Sequence, residues 1–333
     1  MGEKSTRREF LKTAVIAGAG AACPGVLSTP LEAAQEKSRL VVVRNPAALS
    51  NSDDSPGGKL DRKVLGEMLD KGVAKLTRKD RGADGWKELF KPTEVVGIKV
   101  NCLFGKGAST HPEVAYEVAE KLITAGVKPQ NIIIWDRATG DLLKSGFSIR
   151  KEPDSFQVLA NDGVWEDEPA KLGSFNGRLT KIVTQQITAM INIPIMKDHG
   201  ISGVSGALKN HYGTFDNPGK HHGNNCDPYL ADLNAIPAIR DKTRLIILDA
   251  FRPMADGGPS LNTRALWDYH SLVFSQDPVA IDHYAWTAID ARRKETGLPL
   301  LAEAGRPPKW IKSAAKLGLG VDDPAQMEVI RIT

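Results

Sequence analysis

The chain has 333 residues, of which 44 are Lys or Arg and 40 are Asp or Glu, so its formal net charge is only +4. So weak a basic excess gives no electrostatic footprint for nucleic acid, and we predict no nucleic-acid partner. Hydrophobic residues make up 41% of the sequence, which is typical of globular proteins with a sizeable core.

The first 34 residues carry the pattern of a twin-arginine signal peptide. Arg7 and Arg8 precede Phe10 and Leu11, and a short apolar run from Thr13 to Cys23 follows. The run is shorter than the roughly 18 strongly apolar residues that a membrane helix needs, so we predict no stable membrane span. We predict export by the twin-arginine translocase to the periplasm or another extracytoplasmic compartment. The alternative is an amphipathic N-terminal helix of the fold.

Two further features of this region bear on processing. The small residues Ala33 and Ala34 predict cleavage near that point, which leaves residues 35–333 as a single α/β domain. Lipidation at Cys23 is a lesser alternative, because Gly20 stands where a lipoprotein signal usually has Leu.

The cysteines beyond the leader are Cys102 and Cys226. The chain contains no Cys-x-x-Cys pair, so we expect no iron–sulfur cluster of its own and no zinc ribbon. In an oxidising compartment the two thiols could pair, but they could equally be free, or one could bind a metal.

Five short, continuously apolar runs rich in Val and Ile predict buried strands. They are Leu40–Arg44, Val95–Val100, Asn131–Trp135, Thr188–Ile195 and Arg244–Leu248. We also predict an edge strand at Met327–Ile332.

Helical patterns alternate with these strands. They are Pro112–Ala125 with Thr110 and Glu113 as a capping box, Val204–Asn210, a helix from Pro278 with Asp277 as its N-cap, and Trp310–Leu317. The alternation predicts an α/β fold with a doubly wound, largely parallel sheet. Residues 137–180 predict a small insertion, and the Gly-, Asn- and His-rich residues 213–230 predict a long loop of the kind that forms sites.

Polar residues stand where several predicted strands end. Lys99 and Asn101 lie at one end, and Lys197 and His199 lie at another. Parallel strands present their carboxyl ends at one edge of a sheet, and a lysine is rarely buried unless it is paired or used. We therefore predict a pocket whose catalytic residues are Lys99, Lys197, His199, Lys209 and His211, with Asp198, Asp249 or a bound anion offsetting the lysines. Asp136 and Asp249 taken singly are typical loop-starting residues.

A glycine-rich segment, residues 200–206, precedes the helix predicted at Val204–Asn210. Its spacing fits neither a phosphate-binding P-loop nor a dinucleotide fingerprint. Exposed backbone N–H groups at a helix start bind phosphate or carboxylate, although close helix packing would explain the glycines equally well. We predict a small anionic or polar ligand, held by Asn101, Gly203, Gly206, Asn210 and Lys220.

Four of the seven histidines lie between residues 199 and 222. Histidine at this density suits proton transfer or metal ligation, so we predict that a divalent metal is a candidate cofactor. The candidate ligands are His221, His222, Cys226 and Asp227. The spacing matches no standard zinc motif, and a solvated polar loop is the alternative.

The order of motifs resembles the domain of unknown function 362. It consists of Val-Gly-Ile-Lys-Val-Asn (96–101), Thr-His-Pro-Glu-Val (110–114), Asn-Ile-Pro-Ile-Met-Lys-Asp-His-Gly (192–200), Gly-Val-Ser-Gly-Ala-Leu-Lys-Asn (203–210), Lys-His-His (220–222) and Asp-Pro-Val-Ala-Ile-Asp (277–282). The resemblance covers about residues 94–290 and implies an α/β fold, but no established reaction. Members often carry a twin-arginine leader, and some are fused to ferredoxin-like segments, whose cluster cysteines this chain lacks. The family-typical positions are Lys99, Asn101, His111, Lys197, His199, Lys209 and Asn210.

Three functions fit these observations. The first is an exported enzyme that uses a metal or another cofactor, with Lys and His as acid–base groups, on a small anionic or polyhydroxylated substrate. The second is an extracytoplasmic metal- or solute-binding protein without catalysis. The third is an accessory subunit of an exported redox complex.

Overall fold

The computed structural model describes residues 36–52 and 55–333, so the predicted signal peptide, its cleavage site and Cys23 lie outside the described residues. Residues 37–333 form one compact unit. The strands are β1 (Ser38–Arg44), β2 (Leu49–Ser52), β3 (Ser55–Leu60), β4 (Val96–Val100), β5 (Ile132–Asp136), β6 (Gln157–Ala160), β7 (Ala170–Leu172), β8 (Phe175–Gly177), β9 (Ala189–Ile193), β10 (Ile195–His199), β11 (Gly203–Ser205), β12 (Thr243–Met254), β13 (Ser271–Ser275) and β14 (Met327–Ile332).

The helices are α1 (Arg62–Thr77), α2 (Gly82–Leu89), α3 (Pro112–Thr124), α4 (Thr139–Lys144), α5 (Ala207–Asn210), α6 (Tyr229–Ala235), α7 (Pro237–Arg240), α8 (Pro278–Glu295) and α9 (Trp310–Lys316). In the part of the chain that the structure describes, no helix combines the length and the apolar character needed to cross a bilayer.

The main sheet has the strand order β14-β1-β13-β12-β9-β4-β5-β6. Within it, β13 runs antiparallel to both of its neighbours, and the other pairs are parallel. Two further strands extend this sheet, because β10 pairs with β12 in parallel and with β11 in a hairpin. The predicted α/β class with a doubly wound, largely parallel sheet is confirmed.

Alternate residues of each strand pack into two hydrophobic cores, one on each face of the sheet. In β1, Val41 packs on the face covered by α1 and α3, whereas Leu40 packs on the face covered by α6, α8 and α9. In β5, Ile134 and Ile133 divide in the same way. Burial on both faces explains why the strands are continuously apolar rather than alternating.

The predicted strand Thr188–Ile195 is two strands, β9 and β10, on either side of Pro194. The Pro194 carbonyl accepts from the Asp249 amide, which ties this junction to β12. As a result the sheet continues as far as His199, and Lys197 lies inside a strand rather than beyond its end.

The helix predicted over Val204–Asn210 is wrong in its first half. Gly203 takes a positive φ of 78° and starts β11, which pairs with β10, so only Ala207–Asn210 is helical. The predicted capping box of α3 is also wrong, because Thr110 donates instead to the Ile193 carbonyl and the N-cap residue is His111. The N-cap predicted for α8 is confirmed, since the Asp277 carboxylate accepts from the Val279 and Ala280 amides.

The two stretches without clear periodicity have different structures. Residues 137–180 contain α4, the edge strand β6 and the β7–β8 hairpin. Residues 213–230 are a chain of short 3-10 turns, including Pro218–His221 and Gly223–Cys226. This second stretch covers the carboxyl end of the sheet where the polar side chains gather.

Candidate functional site

One pocket of about 120 Å3 lies at the carboxyl ends of β4, β5 and β10, where an open parallel sheet is expected to bind ligands. We call it the lysine pocket. Its polar lining is Lys99, Asn101, Asp136, Arg137, Asp141, Lys197, His199, Ser205, Lys209, Asn210 and His222, and its apolar lining includes Leu103, Tyr212, Pro218 and Pro259.

Lys99 is neutralised inside the pocket. Its ammonium donates to Asp136 Oδ1 at 2.7 Å, and both side chains are buried. The other oxygen of Asp136 accepts from the Cys102 amide at 2.7 Å, so the carboxylate is held by β4 and its following loop as well as by its own strand. Gly213 lies directly against the ion pair, because a Cβ at this position would be only 2.6 Å from Asp136 Oδ1. This buried ion pair forms the base of the lysine pocket.

Lys197 is held by backbone oxygens and not by a carboxylate. Its ammonium donates to the carbonyls of Ala108 at 2.6 Å, Pro259 at 3.2 Å and Leu103 at 3.3 Å. Burial lowers the pKa of Lys197 to about 7, although the nearby charge of Asp136 acts to raise it. The three carbonyls engage all three ammonium protons.

Lys209 has a different environment. Its Nζ lies 3.1 Å from His222 Nε2 and 3.4 Å from the centre of the Tyr212 ring. Among the described residues, no carboxylate forms an ion pair with it. Burial and the nearby charge of Lys197 lower the pKa of Lys209 to about 7, so the amine is partly neutral near neutral pH.

His199 is fixed as a neutral hydrogen-bond donor. Its Nδ1 accepts from the amides of Ile201 at 3.1 Å and Ser202 at 3.2 Å, which places the ring proton on Nε2. Burial, together with the charge of Lys209, lowers the pKa of His199 to about 2. The ring stacks on that of His222 with centroids 5.8 Å apart, so the two imidazoles share one wall.

Two asparagines complete the polar lining. Asn210 Oδ1 accepts from Lys99 Nζ and from Asn101 Nδ2, both at 3.3 Å, and its own amide donates to Asn192 Oδ1 at 2.7 Å. Asn101 Oδ1 is buried and has no hydrogen-bond partner among the described residues. A buried acceptor without a partner is costly, so this oxygen is suited to a donor on a ligand.

Four of the five residues predicted as catalytic, Lys99, Lys197, His199 and Lys209, line this pocket, and His211 does not. His211 Nε2 accepts from Asn192 Nδ2 at 3.3 Å, its Nδ1 lies 3.1 Å from the Thr214 hydroxyl, and burial lowers its pKa to about 3. It lines a separate cavity with Asn234 and Arg240. The placement of His211 in the lysine pocket is therefore wrong. His211 lies two residues after Lys209 on a helical turn, so the two side chains point in different directions.

The predicted anion cradle is also corrected in part. The amides of Ala207 and Leu208 at the start of α5 donate to the Asp282 carboxylate at 2.5 and 2.9 Å, so the protein supplies the anion itself. Gly206 is needed for this contact, because a Cβ there would collide with Asp282. Gly203 is crowded by the Arg306 carbonyl, and neither glycine lines the pocket. Of the residues predicted to hold the ligand, Asn101 and Asn210 line the pocket, whereas Lys220 is exposed outside it.

The residues predicted to bind a metal are not assembled as a ligand set. The buried His221 ring packs against Phe175 and Phe215, and Cys226 is a buried free thiol. His222 faces the lysine pocket, and one buried oxygen of Asp227 has no partner within the residues that the structure describes. Within residues 36–52 and 55–333, no three His, Cys, Asp or Glu side chains are grouped as metal ligands. Cys102 is likewise free and buried.

The carboxylates expected to offset the lysines serve other partners. Asp198 pairs with Arg306 and accepts from the Gly258 amide, which ties β10 to the C-terminal part of the chain. Asp249 pairs with the His111 ring at 2.8 Å. Asp136 takes the role for Lys99 instead, and its position at the end of β5 was the signal available in the sequence. Nothing in the sequence indicated that the ring of Tyr212 would lie under Lys209.

The comparisons with known proteins identify a family without a known reaction. A family model described as "Domain of unknown function (DUF362)" matches residues 96–287. No curated protein matches the sequence. Among solved structures, a protein from Thermotoga maritima is similar, with 12% identity, a TM-score of 0.42 and 71% of this chain covered. The match spans 59% of that protein's chain.

Proposed function

The chain belongs to the DUF362 family, and from its pocket we propose that it is an exported enzyme that transfers protons on a small anionic, hydroxyl-bearing substrate. The observation that carries this proposal is the 3.1 Å contact between Lys209 Nζ and His222 Nε2 at the wall of the lysine pocket. A buried amine beside an imidazole is an acid–base pair whose proton can move near neutral pH.

Charge supports an anionic substrate. Lys197 and Lys209 are both buried, and among the described residues neither forms an ion pair with a carboxylate. Two like charges in one small cavity repel each other, so a carboxylate or phosphate between them stabilises the folded protein as well as the complex.

Hydrogen-bonding groups support a hydroxyl on that substrate. Asn101 Oδ1 is a buried acceptor that no group in the described part of the chain satisfies, so it favours a ligand O–H group. His199 Nε2–H is a neutral donor that cannot take a second proton while Nδ1 accepts two amides. It is suited to a carbonyl or hydroxyl oxygen on which negative charge develops.

The direction of the proton follows from the tautomer of His222. Its Nδ1 lies 2.8 Å from the Pro218 carbonyl and therefore carries the proton, which leaves the Nε2 lone pair facing Lys209. Neutral Lys209 is then the base that removes a substrate proton, and His222 is the group that shares it.

A binding protein without chemistry would use the same charges but would have no need of the Lys209–His222 pair. Solvent exchange separates the two functions. Mature protein is incubated in deuterium oxide with small hydroxy and oxo carboxylates and with sugar phosphates, and NMR follows the loss of the signals from C–H groups next to a carbonyl or carboxylate.

We expect one class of acid to take up deuterium. His222→Gln should slow that exchange by about 10²- to 10⁴-fold, the usual contribution of an acid–base group. Lys197→Met should lose anion binding, measured as thermal stabilisation, and Lys171→Arg, an exposed change on β7, should alter neither property. If none of these compounds exchanges while an anion still stabilises the unmodified protein but not Lys197→Met, the protein is a binder and the enzymatic proposal is wrong.

We also infer export by the twin-arginine route, which carries proteins that have folded before translocation. Arg7-Arg8 with Phe10-Leu11 is the support for it.

A further inference from the structure

We propose that Lys209 forms an imine with the substrate, which identifies the substrate class as small carbonyl acids, that is, carboxylates or phosphates that also carry an aldehyde or ketone. This inference rests on the proposed function and specifies its chemistry. It follows from how differently the chain treats the three lysines of the lysine pocket.

Lys99 and Lys197 cannot act as nucleophiles. Lys99 donates to Asp136, to the Val100 carbonyl at 2.6 Å and to Asn210. Lys197 gives its three protons to three backbone carbonyls. The three acceptors and the side chain's own Cε surround such a nitrogen, so no side of it is open to a carbonyl carbon.

Lys209 is the exception. Its only hydrogen-bond partner among the described residues is His222 Nε2, and the Tyr212 ring covers another side. The buried Cys226 thiol is close enough to interact with its charge. It is buried and lies near the positive charge of Lys197, the two conditions that leave a lysine amine neutral enough to attack a carbonyl. The geometry therefore leaves one amine that is free to react, at the wall of a cavity that suits an anion.

The neighbouring imidazoles supply the proton movements that an imine needs. His222 Nε2, unprotonated and 3.1 Å away, takes a proton from the attacking amine. His199 Nε2–H is available to hydrogen-bond the carbonyl oxygen as it becomes an alkoxide, because its Nδ1 is occupied by two amides.

The chemistry balances without an oxidant or reductant. The Lys209 lone pair forms a C–N bond to the carbonyl carbon, and the C=O π electrons move to oxygen, which takes up a proton. The nitrogen loses one proton to His222, which passes it to the hydroxyl group. With the one proton that the oxygen has taken from solvent, this lets the nitrogen lone pair expel the group as water. The product is a protonated imine, which acidifies the adjacent C–H bond. Because Lys209 is then bonded to the substrate, His222 Nε2 takes its place as the base that removes the substrate proton.

Reductive trapping tests the proposal. Mature protein is incubated separately with glyoxylate, pyruvate and glyceraldehyde 3-phosphate as probes, sodium cyanoborohydride is added, and intact mass and peptide mapping locate the adduct. At least one probe should give a single adduct on Lys209, with labelling that increases as pH rises through about 7. His222→Gln should slow the labelling, and Lys171→Arg should leave it unchanged.

Lys209→Arg should lose the adduct while the protein remains folded, because arginine retains a cation over Tyr212 but offers no nucleophile. Lys209→Gln serves as the second variant if the arginine variant does not fold. Adducts scattered over exposed lysines, adducts that persist without Lys209, or the absence of any adduct from all three probes would overturn the imine. The proposed function is judged separately by deuterium exchange and anion binding, which can succeed when trapping fails.

Discussion

At the scale of single residues, the same side-chain type acquires different chemistry from its immediate neighbours. Lys99, Lys197 and Lys209 are all buried lysines of one pocket. The first is paired with a carboxylate, the second is surrounded by backbone carbonyls, and the third lies beside an imidazole. Their roles therefore follow from partners that lie on other elements and not from the residue type.

The buried His111–Asp249 pair gives a prediction about pH. Burial acts to lower the pKa of His111, but the Asp249 carboxylate and the Gly57 carbonyl more than offset it and raise the pKa to about 9. A histidine pKa raised on folding stabilises the protein fully below 6.5, and this stabilisation is lost as pH rises through about 9. Asp249→Asn should lower the free energy of unfolding by about 3 kcal/mol at neutral pH, because it leaves a buried charge without its partner.

Urea unfolding from below pH 6.5 to above pH 9 measures this effect. The difference between the unmodified protein and Asp249→Asn should shrink at the upper end of the range. Asp241→Asn, which breaks the exposed pair with Arg240, is the matched control and should change little at any pH. A difference that stays constant with pH would show that the pair does not titrate as described.

At the scale of elements, α5 is a four-residue helix whose position depends on a distant carboxylate. Asp282 on α8 accepts from the first two amides of α5, and Gly206 leaves room for it. This contact carries Lys209 and Asn210 to the pocket wall. The helix start is therefore a structural joint and not a ligand site.

Gly206→Ala should disrupt that joint. The added methyl group would collide with Asp282 and separate it from the Ala207 and Leu208 amides, at a cost of at least about 1 kcal/mol, as for loss of an N-cap. Urea unfolding should report the loss, and Lys209-dependent anion binding should weaken. Gly219→Ala, at an exposed position with no atom closer than 3.9 Å to the added Cβ, is the control and should be nearly neutral.

Phosphate distinguishes this explanation from a glycine cradle. If the glycines bound the ligand directly, phosphate would protect the unmodified protein, and Gly206→Ala would lose that protection without losing stability. We expect instead that Gly206→Ala is less stable than the unmodified protein even when no anion is present.

At the scale of the whole molecule, the doubly wound sheet gathers chemistry from distant parts of the chain. The ends of β4, β5 and β10 meet at the lysine pocket, and residues 213–230 cover it. The C-terminal part is anchored to the same region by Arg306, which pairs with Asp198 on β10. A site built from so many segments forms only when the domain has folded.

That dependence agrees with the proposed route of export. The double variant Arg7→Lys, Arg8→Lys should accumulate as an uncleaved precursor in the cytoplasm, since the paired guanidinium groups are the recognised feature. Cell fractionation and the mass of the accumulated protein measure it. Lys4→Arg, outside the arginine pair, is the control, and normal export of the double variant would contradict the assignment.

Much of the site could be predicted because it follows directly from strand ends. Lys99, Lys197 and His199 lie in or beside apolar runs, and parallel strands bring such positions to one edge. His211 could not be placed in the same way, because its direction depends on how the short α5 helix is seated. The predicted metal ligands could not be placed for a related reason, because His221 packs among aromatic rings that come from other segments.

The sequence by itself determined the elements whose stability is local or set by burial pattern. Apolar runs made β1, β4, β5 and β12 recognisable, and Asp277 with Pro278 marked the start of α8, because periodicity and capping act over a few residues. Only the tertiary structure decided which carboxylate accepts from which lysine or backbone amide. Asp282 reaches Ala207 across 75 positions, and Lys99 finds Asp136 across 37. Electrostatic interactions depend on distance in space and on burial, and neither can be read from spacing along the chain.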